Sequence, residues 1–327
     1  MIRIKSPSRL HFGQLDLNGN SGRIYGGSGV ALKEPSTLIY MEKSSEFEVK
    51  GEKSAEIKNI LWTFLEKIKD KGLINKKAGV LVKIEKLLPA HNGLGSGTQT
   101  ALTLAEGINR LYKLNLNNKI IAEMIDRKHS RSAIGFGAFY KGGFIVDGGR
   151  PTKDKENDKY LPPIIYQHQV PENWSFIIVL PVHKKDKMAG EKEIKTFKGL
   201  KQMQIEKSYE NCHNLLLGML PALQENDIKT FSENLNKIED NVGDYFSKVQ
   251  GGRYTSDSAA QMIKLMEEEG VLARGQSSWG PALYGLFENK AKAENIEAKL
   301  RKKFRDNIRD IYISGAANKG AEIFTNV

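Results

Sequence analysis

Residues 89–99 read Pro89-Ala90-His91-Asn92-Gly93-Leu94-Gly95-Ser96-Gly97-Thr98-Gln99, and this glycine-rich stretch decides the fold. Apolar residues alternate before it, over residues 80–84, and recur at helical spacing after it, over residues 101–111. A strand, a glycine-rich loop and a helix together favour anion binding, because glycine lets backbone N–H groups turn inward and the helix N-terminus is partially positive. We therefore predict a phosphate-binding loop formed by His91, Gly93, Gly95, Ser96, Gly97, Thr98 and Gln99.

The glycine spacing excludes two common phosphate-binding motifs. A nucleoside-triphosphatase P-loop would end in Gly-Lys-Ser/Thr, and a dinucleotide-binding loop would read Gly-x-Gly-x-x-Gly, whereas this loop reads Gly-x-Gly-x-Gly. A strand-to-helix turn that binds no ligand is the other interpretation of the glycines. The hydroxyls of Ser96 and Thr98, which lie between and beside the glycines, favour the anion site.

The composition indicates an ordinary globular protein of two domains. A chain of 327 residues exceeds the usual size of one core, and 39% hydrophobic residues suffice for two. The longest apolar run, residues 176–180, is too short to span a bilayer, and residues 1–5 do not resemble a signal peptide. Cys212 is the single cysteine, which excludes an internal disulfide and suits a reducing compartment. We expect a cytoplasmic protein with no membrane segment.

The net charge of +11, from 50 basic and 39 acidic residues, could attract nucleic acid or anionic metabolites. Lysines alternate with glutamates over residues 191–207 and 290–305, which is typical of solvated helix faces. Neither an aromatic-interleaved basic strand nor a basic helix with helix-turn-helix spacing occurs in the sequence. We therefore expect small-molecule substrates and no nucleic-acid partner.

The hydrophobic pattern predicts a first domain of mixed strands and helices, residues 1–155, which contains the glycine loop. Alternating apolar segments bounded by glycine and proline predict strands, and apolar residues that step by three and four predict helices. The predicted strands span residues 3–12, 31–32, 37–41, 47–50, 80–84 and 142–149, and the predicted helices span residues 54–71, 101–111 and 120–128.

A polar, proline-flanked segment, residues 150–163, predicts the domain boundary, so that the second domain is residues 164–327. Residues 194–249 are predicted to be largely helical, with a break near Pro221. Further strands are predicted over residues 176–182, 272–275, 282–287 and 308–313, and further helices over residues 256–269 and 291–304. The fold class is α+β.

Three motifs in order resemble the GHMP kinase superfamily of galactokinase and of homoserine and mevalonate kinases. The glycine loop resembles that superfamily's Pro-x-x-x-Gly-Leu-Gly-Ser-Ser-Ala loop, and Ser6-Pro7-Ser8-Arg9 is similar to its N-terminal Ala-Pro-Gly-Lys strand. Residues 275–281 stand where the kinases carry a glycine-rich turn. The resemblance covers nearly the whole chain and implies an N-terminal domain like domain 2 of ribosomal protein S5, with a ferredoxin-like C-terminal domain.

The departures from the kinase pattern concern the catalytic base. Where mevalonate-type kinases carry Ser-Gly-Val-Asp, this chain reads Ser132-Ala133-Ile134-Gly135, so Gly135 stands at the position of the catalytic Asp. Gly97 replaces the second serine of the loop, and Arg9 replaces the lysine of the first motif. A kinase needs these groups to activate an alcohol. The sequence therefore predicts a member of the superfamily that is not a kinase.

The combined motifs resemble a non-kinase branch, the β-ribofuranosylaminobenzene 5′-phosphate synthases of archaeal-type methanopterin biosynthesis. The motifs that carry this resemblance are residues 8–13, 93–100, 131–135, 142–149 and 275–281. The resemblance implies joining of 5-phosphoribosyl 1-diphosphate to 4-aminobenzoate or 4-hydroxybenzoate, release of carbon dioxide and diphosphate, and a need for Mg²⁺ whose ligands the sequence leaves unknown. The alternatives are a GHMP-family kinase that uses ATP-Mg and a catalytically silent binding protein. We also consider a homodimer possible.

The remaining candidate residues lie outside the glycine loop. Arg9 and His11 alternate on a strand and so face one side, and Arg131 and Ser132 occupy the neighbourhood of the vacated base. We predict catalytic roles for these four, because Arg can hold a carboxylate or phosphate by two parallel hydrogen bonds. Packed or surface-paired side chains are the alternative. We predict that Gln276, Ser277, Ser278 and Trp279 bind the substrate, with the indole stacked on the benzoate ring.

Overall fold

The computed structural model describes residues 1–75, 77–125, 131–157, 159–182 and 201–325. The first domain is built on an eight-stranded sheet, of which seven strands come from its own part of the chain. These are β1 (Ile2–Asp16), β2 (Arg23–Ser44), β3 (Glu48–Lys50), β4 (Gly79–Lys86), β5 (Phe144–Asp147), β6 (Arg150–Pro151) and β7 (Ile164–His168). Its helices are α1 (Ser54–Asp70), α2 (Ser96–Leu111), α3 (Asn118–Met124) and α4 (Ile134–Tyr140), with a 3₁₀ turn at Thr152–Asp154.

Helices α1 and α2 cover one part of this sheet with apolar side chains. The apolar face of α1 is largely buried, with Leu61 and Ile68 fully enclosed, and it packs beside α2 against β2 and β4. Each such side chain stabilises the fold by about 1.5–3 kcal/mol. Gly107 lets α2 approach β2 closely, because a Cβ there would lie 2.2 Å from the sulfur of Met41. The packing fixes the start of α2 relative to the strands.

The second domain is a four-stranded antiparallel sheet in the order β11-β8-β10-β9. Its strands are β8 (Ser175–Pro181), β9 (Ala273–Gln276), β10 (Leu283–Phe287) and β11 (Ile308–Ser314). Its helices are α5 (Ile205–His213), α6 (Leu220–Gln224), α7 (Ile228–Gln250), α8 (Asp257–Glu268) and α9 (Lys290–Phe304), with a π-helical turn at Asn214–Met219 and a 3₁₀ turn at Arg305–Asn307. The strand order and helix placement are those of a ferredoxin-like domain, so the predicted fold class is confirmed.

The two faces of the second sheet pack against different parts of the molecule. Ile177 and Val179 of β8 point toward α8 and α9, whereas Phe176 and Ile178 point toward α7 and the first domain. This alternation follows from the two-residue period of a strand. The rings of Phe12 in β1 and Tyr284 in β10 lie 5.1 Å apart. One apolar core therefore joins the two domains.

The predicted boundary between the domains needs a correction. Strand β7 pairs with β5, with Val146 opposite Tyr166, and belongs to the first sheet. The last strand, β12 (Glu322–Thr325), pairs with β1 and completes that sheet. Both segments lie within residues 164–327, the predicted second domain. Proline and polar composition mark a turn but do not reveal the strand partner, and the free edges of β5 and β1 offer backbone groups that these segments satisfy.

Several elements differ from their predicted bounds. The separate strands predicted at residues 31–32 and 37–41 belong to the single long strand β2. The helix expected over residues 120–128 corresponds to α3, and residues 126–128 lie outside the described residues, as do residues 194–200. Pro221 lies in the first turn of α6, directly after the π-helical turn, and the helix breaks only at residues 225–227. A proline is tolerated there because a first-turn N–H needs no partner within its helix.

Within the described segments, every helix falls short of the length and apolar character that crossing a bilayer requires.

Candidate active site

A cleft lies between the two domains, at the point where β1, the start of α4 and α7 converge. The first domain contributes the middle of β1 and the segment before α4, and the second contributes α7 and the turn after β9. Its lining residues are Arg9, His11, Gly13, Gln14, Arg131, Ser132, Val242, Phe246, Ser278 and Trp279.

The glycine loop forms the N-terminal entry to α2. Gly95 caps the helix with φ 80°, and Ser96 begins it. Gly93, with φ 77°, must be glycine because a Cβ would lie 2.2 Å from the carbonyl oxygen of Ser277. The first backbone N–H groups of a helix have no acceptor within it, and the first turn, residues 96–99, carries no charged side chain. The helix start therefore remains electropositive, as an anion site requires.

Arg9 lies directly beneath this loop. Its guanidinium donates to the carbonyl of Gly93, and its backbone N–H donates to the carbonyl of Leu94 at 3.1 Å. A Cβ on Gly95 would lie 3.1 Å from Cγ of Arg9, so the side chain packs against the bare backbone of the loop. Burial lowers the pKa of Arg9 to about 10, which leaves it cationic at neutral pH. Arg9 thus braces the loop and adds positive charge to the cleft.

His11 lines the cleft as a neutral group. Its side chain is only 5% exposed, and within the described part of the chain its Nδ1 atom has no hydrogen-bond partner. Burial, with a smaller contribution from the charge of Arg9, lowers the pKa of His11 to about 3. A neutral imidazole cannot hold a phosphate by charge, so His11 is suited to a neutral hydrogen bond with a ligand.

The four predicted residues at the end of β9 and in the turn after it separate into two pairs. Ser278 and Trp279 line the cleft. Ser277 is fully buried, donates its hydroxyl to the carbonyl of Gly93 at 2.7 Å and accepts from the N–H of His11 at 3.0 Å. Gln276 is turned away from the cleft, where its amide oxygen accepts from the N–H of Thr255 at 3.0 Å. Ser277 and Gln276 therefore hold the turn in place and do not line the cleft.

Gly135, the vacated base position, lies beside the glycine loop. A Cβ on Gly135 would lie 3.2 Å from Cγ2 of Thr98, and the carbonyl of Gly135 accepts from the side-chain amide of Gln99 at 2.7 Å. Gln99 is fully buried, so it ties α2 to α4 rather than contacting a ligand from solvent. His91 is exposed on the approach to the loop.

Arg131 and Ser132 form the cleft wall just before α4. The guanidinium carbon of Arg131 lies 5.7 Å from the ring centre of Tyr25. The hydroxyl of Ser132 donates to Oδ2 of Asp147, at the end of β5, at 2.9 Å. Six predicted residues thus meet at one cleft: Arg9, His11, Arg131, Ser132, Ser278 and Trp279.

Four lining residues escaped the sequence analysis. Val242 and Phe246 stand four residues apart on α7, and the ring of Phe246 lies 4.5 Å from that of Trp279. Such spacing on an amphipathic helix is typical of core residues, so no local signal marks them as a site. Gly13 and Gln14 directly follow the strand motif. Continuing the alternation of Arg9 and His11 leads to Gly13, whereas Gln14 follows a register shift in β1 between His11 and Gln14, which alternation does not predict. Phe246 and Trp279 together give the cleft an aromatic surface.

The lining contains no carboxylate, and among the described residues no cluster of three or more His, Cys, Asp or Glu side chains could hold a metal ion. Mg²⁺ in proteins is usually held by one or two carboxylates together with substrate phosphates. The lining of this cleft, as far as the structure describes it, therefore does not fit a Mg²⁺ ion held by protein carboxylates.

The fold and the cleft define a member of the GHMP kinase superfamily. The family described as "GHMP kinases N terminal domain" matches residues 56–141, and "GHMP kinases C terminal" matches residues 219–306. A homoserine kinase structure from Cytophaga hutchinsonii superposes with a TM-score of 0.69 at 17% identity, covering 99% of this chain and 97% of that one.

Two archaeal relatives define the family within this superfamily. A β-ribofuranosylphenol 5′-phosphate synthase from Archaeoglobus fulgidus is 33% identical over 99% of both chains. One from Methanocaldococcus jannaschii is 32% identical over 306 residues, which cover 88% of this chain and 90% of that relative. The chain belongs to the β-ribofuranosylphenol 5′-phosphate synthase family, a family of enzymes, which confirms the predicted resemblance.

Proposed function

We propose that this enzyme joins 5-phosphoribosyl 1-diphosphate to 4-hydroxybenzoate and releases carbon dioxide and diphosphate. The observation that carries the proposal is Gly135, which lies beside the phosphate loop where superfamily kinases carry a catalytic Asp. The names of the archaeal relatives, which describe a ribofuranosylphenol, favour 4-hydroxybenzoate over 4-aminobenzoate as the acceptor. The product is a C-riboside 5′-phosphate, and we assign it to methanopterin biosynthesis.

The glycine loop suits the phosphates of the ribosyl donor. Backbone N–H groups at the start of α2, the hydroxyls of Ser96 and Thr98, and the nearby cation of Arg9 are the groups that bind phosphate oxygens. They would stabilise the negative charge that gathers on diphosphate as it leaves.

The lining of the cleft suits an aromatic acid. The rings of Phe246 and Trp279, with Val242 beside them, offer an apolar surface on which a benzoate ring can stack. Arg131 lines the same cleft and can take the carboxylate in a two-point contact. Binding the benzoate ring and the ribosyl donor next to each other lowers the entropy cost that remains for the reaction between them.

The chemistry needs no base at position 135. The ring carbon that bears the carboxylate is para to the hydroxyl and is electron-rich, so it attacks C1 of the ribosyl group. The bond from C1 to the diphosphate oxygen breaks with its electron pair leaving on diphosphate, and a carbon–carbon bond forms. The bond to the carboxylate then breaks, its electron pair restores the aromatic ring, and carbon dioxide departs. Loss of carbon dioxide takes the place of proton removal.

Mg²⁺ enters this proposal only with the substrate. Since the described cleft lining lacks carboxylates, we propose that any Mg²⁺ arrives coordinated by the diphosphate oxygens. A cytoplasmic location and a homodimer also stay predictions, the first supported by the single cysteine and the second to be checked by light scattering.

The test is product identity. Purified protein is incubated with 5-phosphoribosyl 1-diphosphate, Mg²⁺ and each benzoate in turn, and the products are analysed by mass spectrometry. We expect an acid-stable C-riboside that has lost the carboxylate. ATP turnover with a panel of GHMP alcohol substrates is the control, and stoichiometric ADP formation with any of them would favour the kinase alternative.

A further inference from the structure

Two side chains in the lining of the cleft carry buried polar atoms whose hydrogen bonds are unsatisfied. The Oε1 atom of Gln14 and the Nδ1 atom of His11 have no hydrogen-bond partner among the described residues, and both residues line the cleft. A buried polar atom without a partner has lost its contact with water and gained nothing in return, so native structures contain few of them. These atoms therefore mark a place where a ligand can supply the missing hydrogen bonds.

A bulge in β1 brings Gln14 into the cleft. His11 lies opposite Gly29 of β2, and the register then shifts. Gln14 lies opposite Gly27, so three steps along β1 match two steps along β2. Simple alternation would place residues 11 and 14 on opposite faces of the strand, and the extra residue returns Gln14 to the face of His11. Gly13, inside the bulge, has φ 74°, a conformation that glycine adopts without strain.

The order of residues along β1 places the Gln14 amide toward α7. Arg9 contacts the glycine loop, whereas Gly13 lies against α7, since a Cβ on it would lie 3.1 Å from Cγ2 of Val242. Gln14 is therefore displaced from the proposed phosphate site toward the helix that bears Phe246. The charge of an arginine binds a phosphate or carboxylate more strongly than an amide does, so the neutral amide suits a neutral polar group of the ligand.

We propose that Gln14 is a specificity-determining residue whose amide oxygen accepts a hydrogen bond from the para hydroxyl of the benzoate acceptor. This inference rests on the proposed function. When the ring carbon attacks the ribosyl group, electron density leaves the para hydroxyl, and its hydrogen becomes a stronger donor. An acceptor at this hydroxyl therefore stabilises the transition state more than the bound substrate. The amide takes no proton, and the hydroxyl is intact in the product. A benzoate whose para group has no hydrogen to donate leaves Oε1 unsatisfied.

The test measures the binding of benzoates by calorimetry with diphosphate and Mg²⁺ present, so that the proposed phosphate site is filled and no turnover occurs. The probes are 4-hydroxybenzoate, 4-aminobenzoate and 4-methylbenzoate, of which only the last has no hydrogen to donate from its para group. We expect wild type to bind the first two roughly two- to tenfold more tightly than the third. Gln14→Met, which keeps the length of the side chain, should lose this preference. Its melting temperature should not fall, because Oε1 has no partner to lose among the described residues.

Two further variants and a second set of ligands are the controls. Gln14→Asn keeps the amide but shortens the side chain by one methylene, so it should lose the preference as Gln14→Met does. Gln224→Met should keep the preference, because Gln224 lies outside the cleft, where its amide donates to the hydroxyl of Tyr166 at 3.0 Å. The affinities for 5-phosphoribosyl 1-diphosphate and for its 2-deoxy and 3-deoxy analogues should be the same in Gln14→Met as in wild type.

Three results would overturn the proposal. The first is a wild type without the preference, and the second is a Gln14→Met variant that keeps it; if this variant does not fold, Gln14→Asn decides in the same way. The third is a Gln14→Met variant that no longer distinguishes the ribosyl donor from a deoxy analogue, which would assign Gln14 to the ribose. A wild type that releases carbon dioxide from 4-hydroxybenzoate but shows no preference would refute this inference alone. A preference that is lost in Gln14→Met, in a protein that releases no carbon dioxide, would refute the proposed function alone.

Discussion

At the scale of single residues, a substitution at Gly97 can separate the proposed role of the loop in anion binding from its role in folding. A Cβ at Gly97 meets no atom within 4 Å, and its φ is not in the left-handed region, so a side chain fits there without strain. Gly97→Asp should stabilise the empty helix start slightly, because acids favour a helix N-terminus. It should also weaken 5-phosphoribosyl 1-diphosphate binding by about tenfold or more relative to Gly97→Asn, through repulsion of the phosphates. The melting temperature checks the expected gain in stability, and calorimetry checks the expected loss of affinity. Equal affinities of Gly97→Asp and Gly97→Asn would mean that the anion binds elsewhere.

Arg131 gives a second prediction at this scale. Lysine keeps the charge but not the planar two-point contact. Arg131→Lys should lower kcat/KM by roughly ten- to a hundredfold, the equivalent of about 1.5–3 kcal/mol, with little change in melting temperature. Arg3→Lys is the matched control, since Arg3 also lies over an aromatic ring, 5.2 Å from that of Phe324, but outside the cleft. A variant at 131 that loses stability and keeps its activity per folded molecule would make Arg131 a structural residue.

At the scale of elements, we propose that α7 contributes the surface that binds the aromatic acceptor. Phe246→Leu keeps most of the volume, so it should cost less than about 1.5 kcal/mol in stability. It removes the aromatic face, and we expect the KM for 4-hydroxybenzoate to rise while the KM for the ribosyl donor stays near wild type. Phe231→Leu on the same helix, buried at 2% exposure and away from the cleft, should change stability alone. If Phe246→Leu changed the KM values for 4-hydroxybenzoate and for the ribosyl donor equally, the benzoate ring would bind elsewhere.

Some elements of the fold and of the site could be predicted from the sequence, and others could not. The glycine loop is marked by its local residue order, and the placement of Arg9 and His11 on one face of β1 follows from strand alternation. A single sequence contains both signals. Ser277 braces the loop across 184 residues, and Val242 lines the cleft only because α7 packs on β1. Nothing local distinguishes a core valine from a cleft valine. The same limit explains β7 and β12, whose partners are set by tertiary packing.

At the scale of the whole molecule, a buried acid should make stability depend on pH. Burial raises the pKa of Glu239 on α7 to about 8, against smaller opposing contributions from the Tyr284 hydroxyl, 2.9 Å away, and other donors. Between the carboxyl's usual range and about 8, the unfolded chain releases this proton and the folded chain keeps it. The free energy of unfolding therefore contains a contribution that falls as pH rises through this window.

Glu239→Gln removes this titration and keeps an acceptor for Tyr284. Urea unfolding at pH 5.5, 6.5 and 7.5 should show wild type losing stability with pH relative to the variant, by up to about 1.4 kcal/mol per pH unit. If the free energy of unfolding changed with pH in the same way for both proteins, Glu239 would be ionised in the folded protein.

The central claim is that carbon–carbon bond formation is completed by loss of carbon dioxide in a cleft without the kinase base. The most direct measurement uses 4-hydroxybenzoate labelled in its carboxyl group, with 5-phosphoribosyl 1-diphosphate and Mg²⁺, and counts labelled carbon dioxide against diphosphate. The account predicts equal amounts of the two at every time point, with neither formed when one substrate is omitted. Diphosphate released without labelled carbon dioxide, with the carboxyl label retained in a riboside, would contradict it.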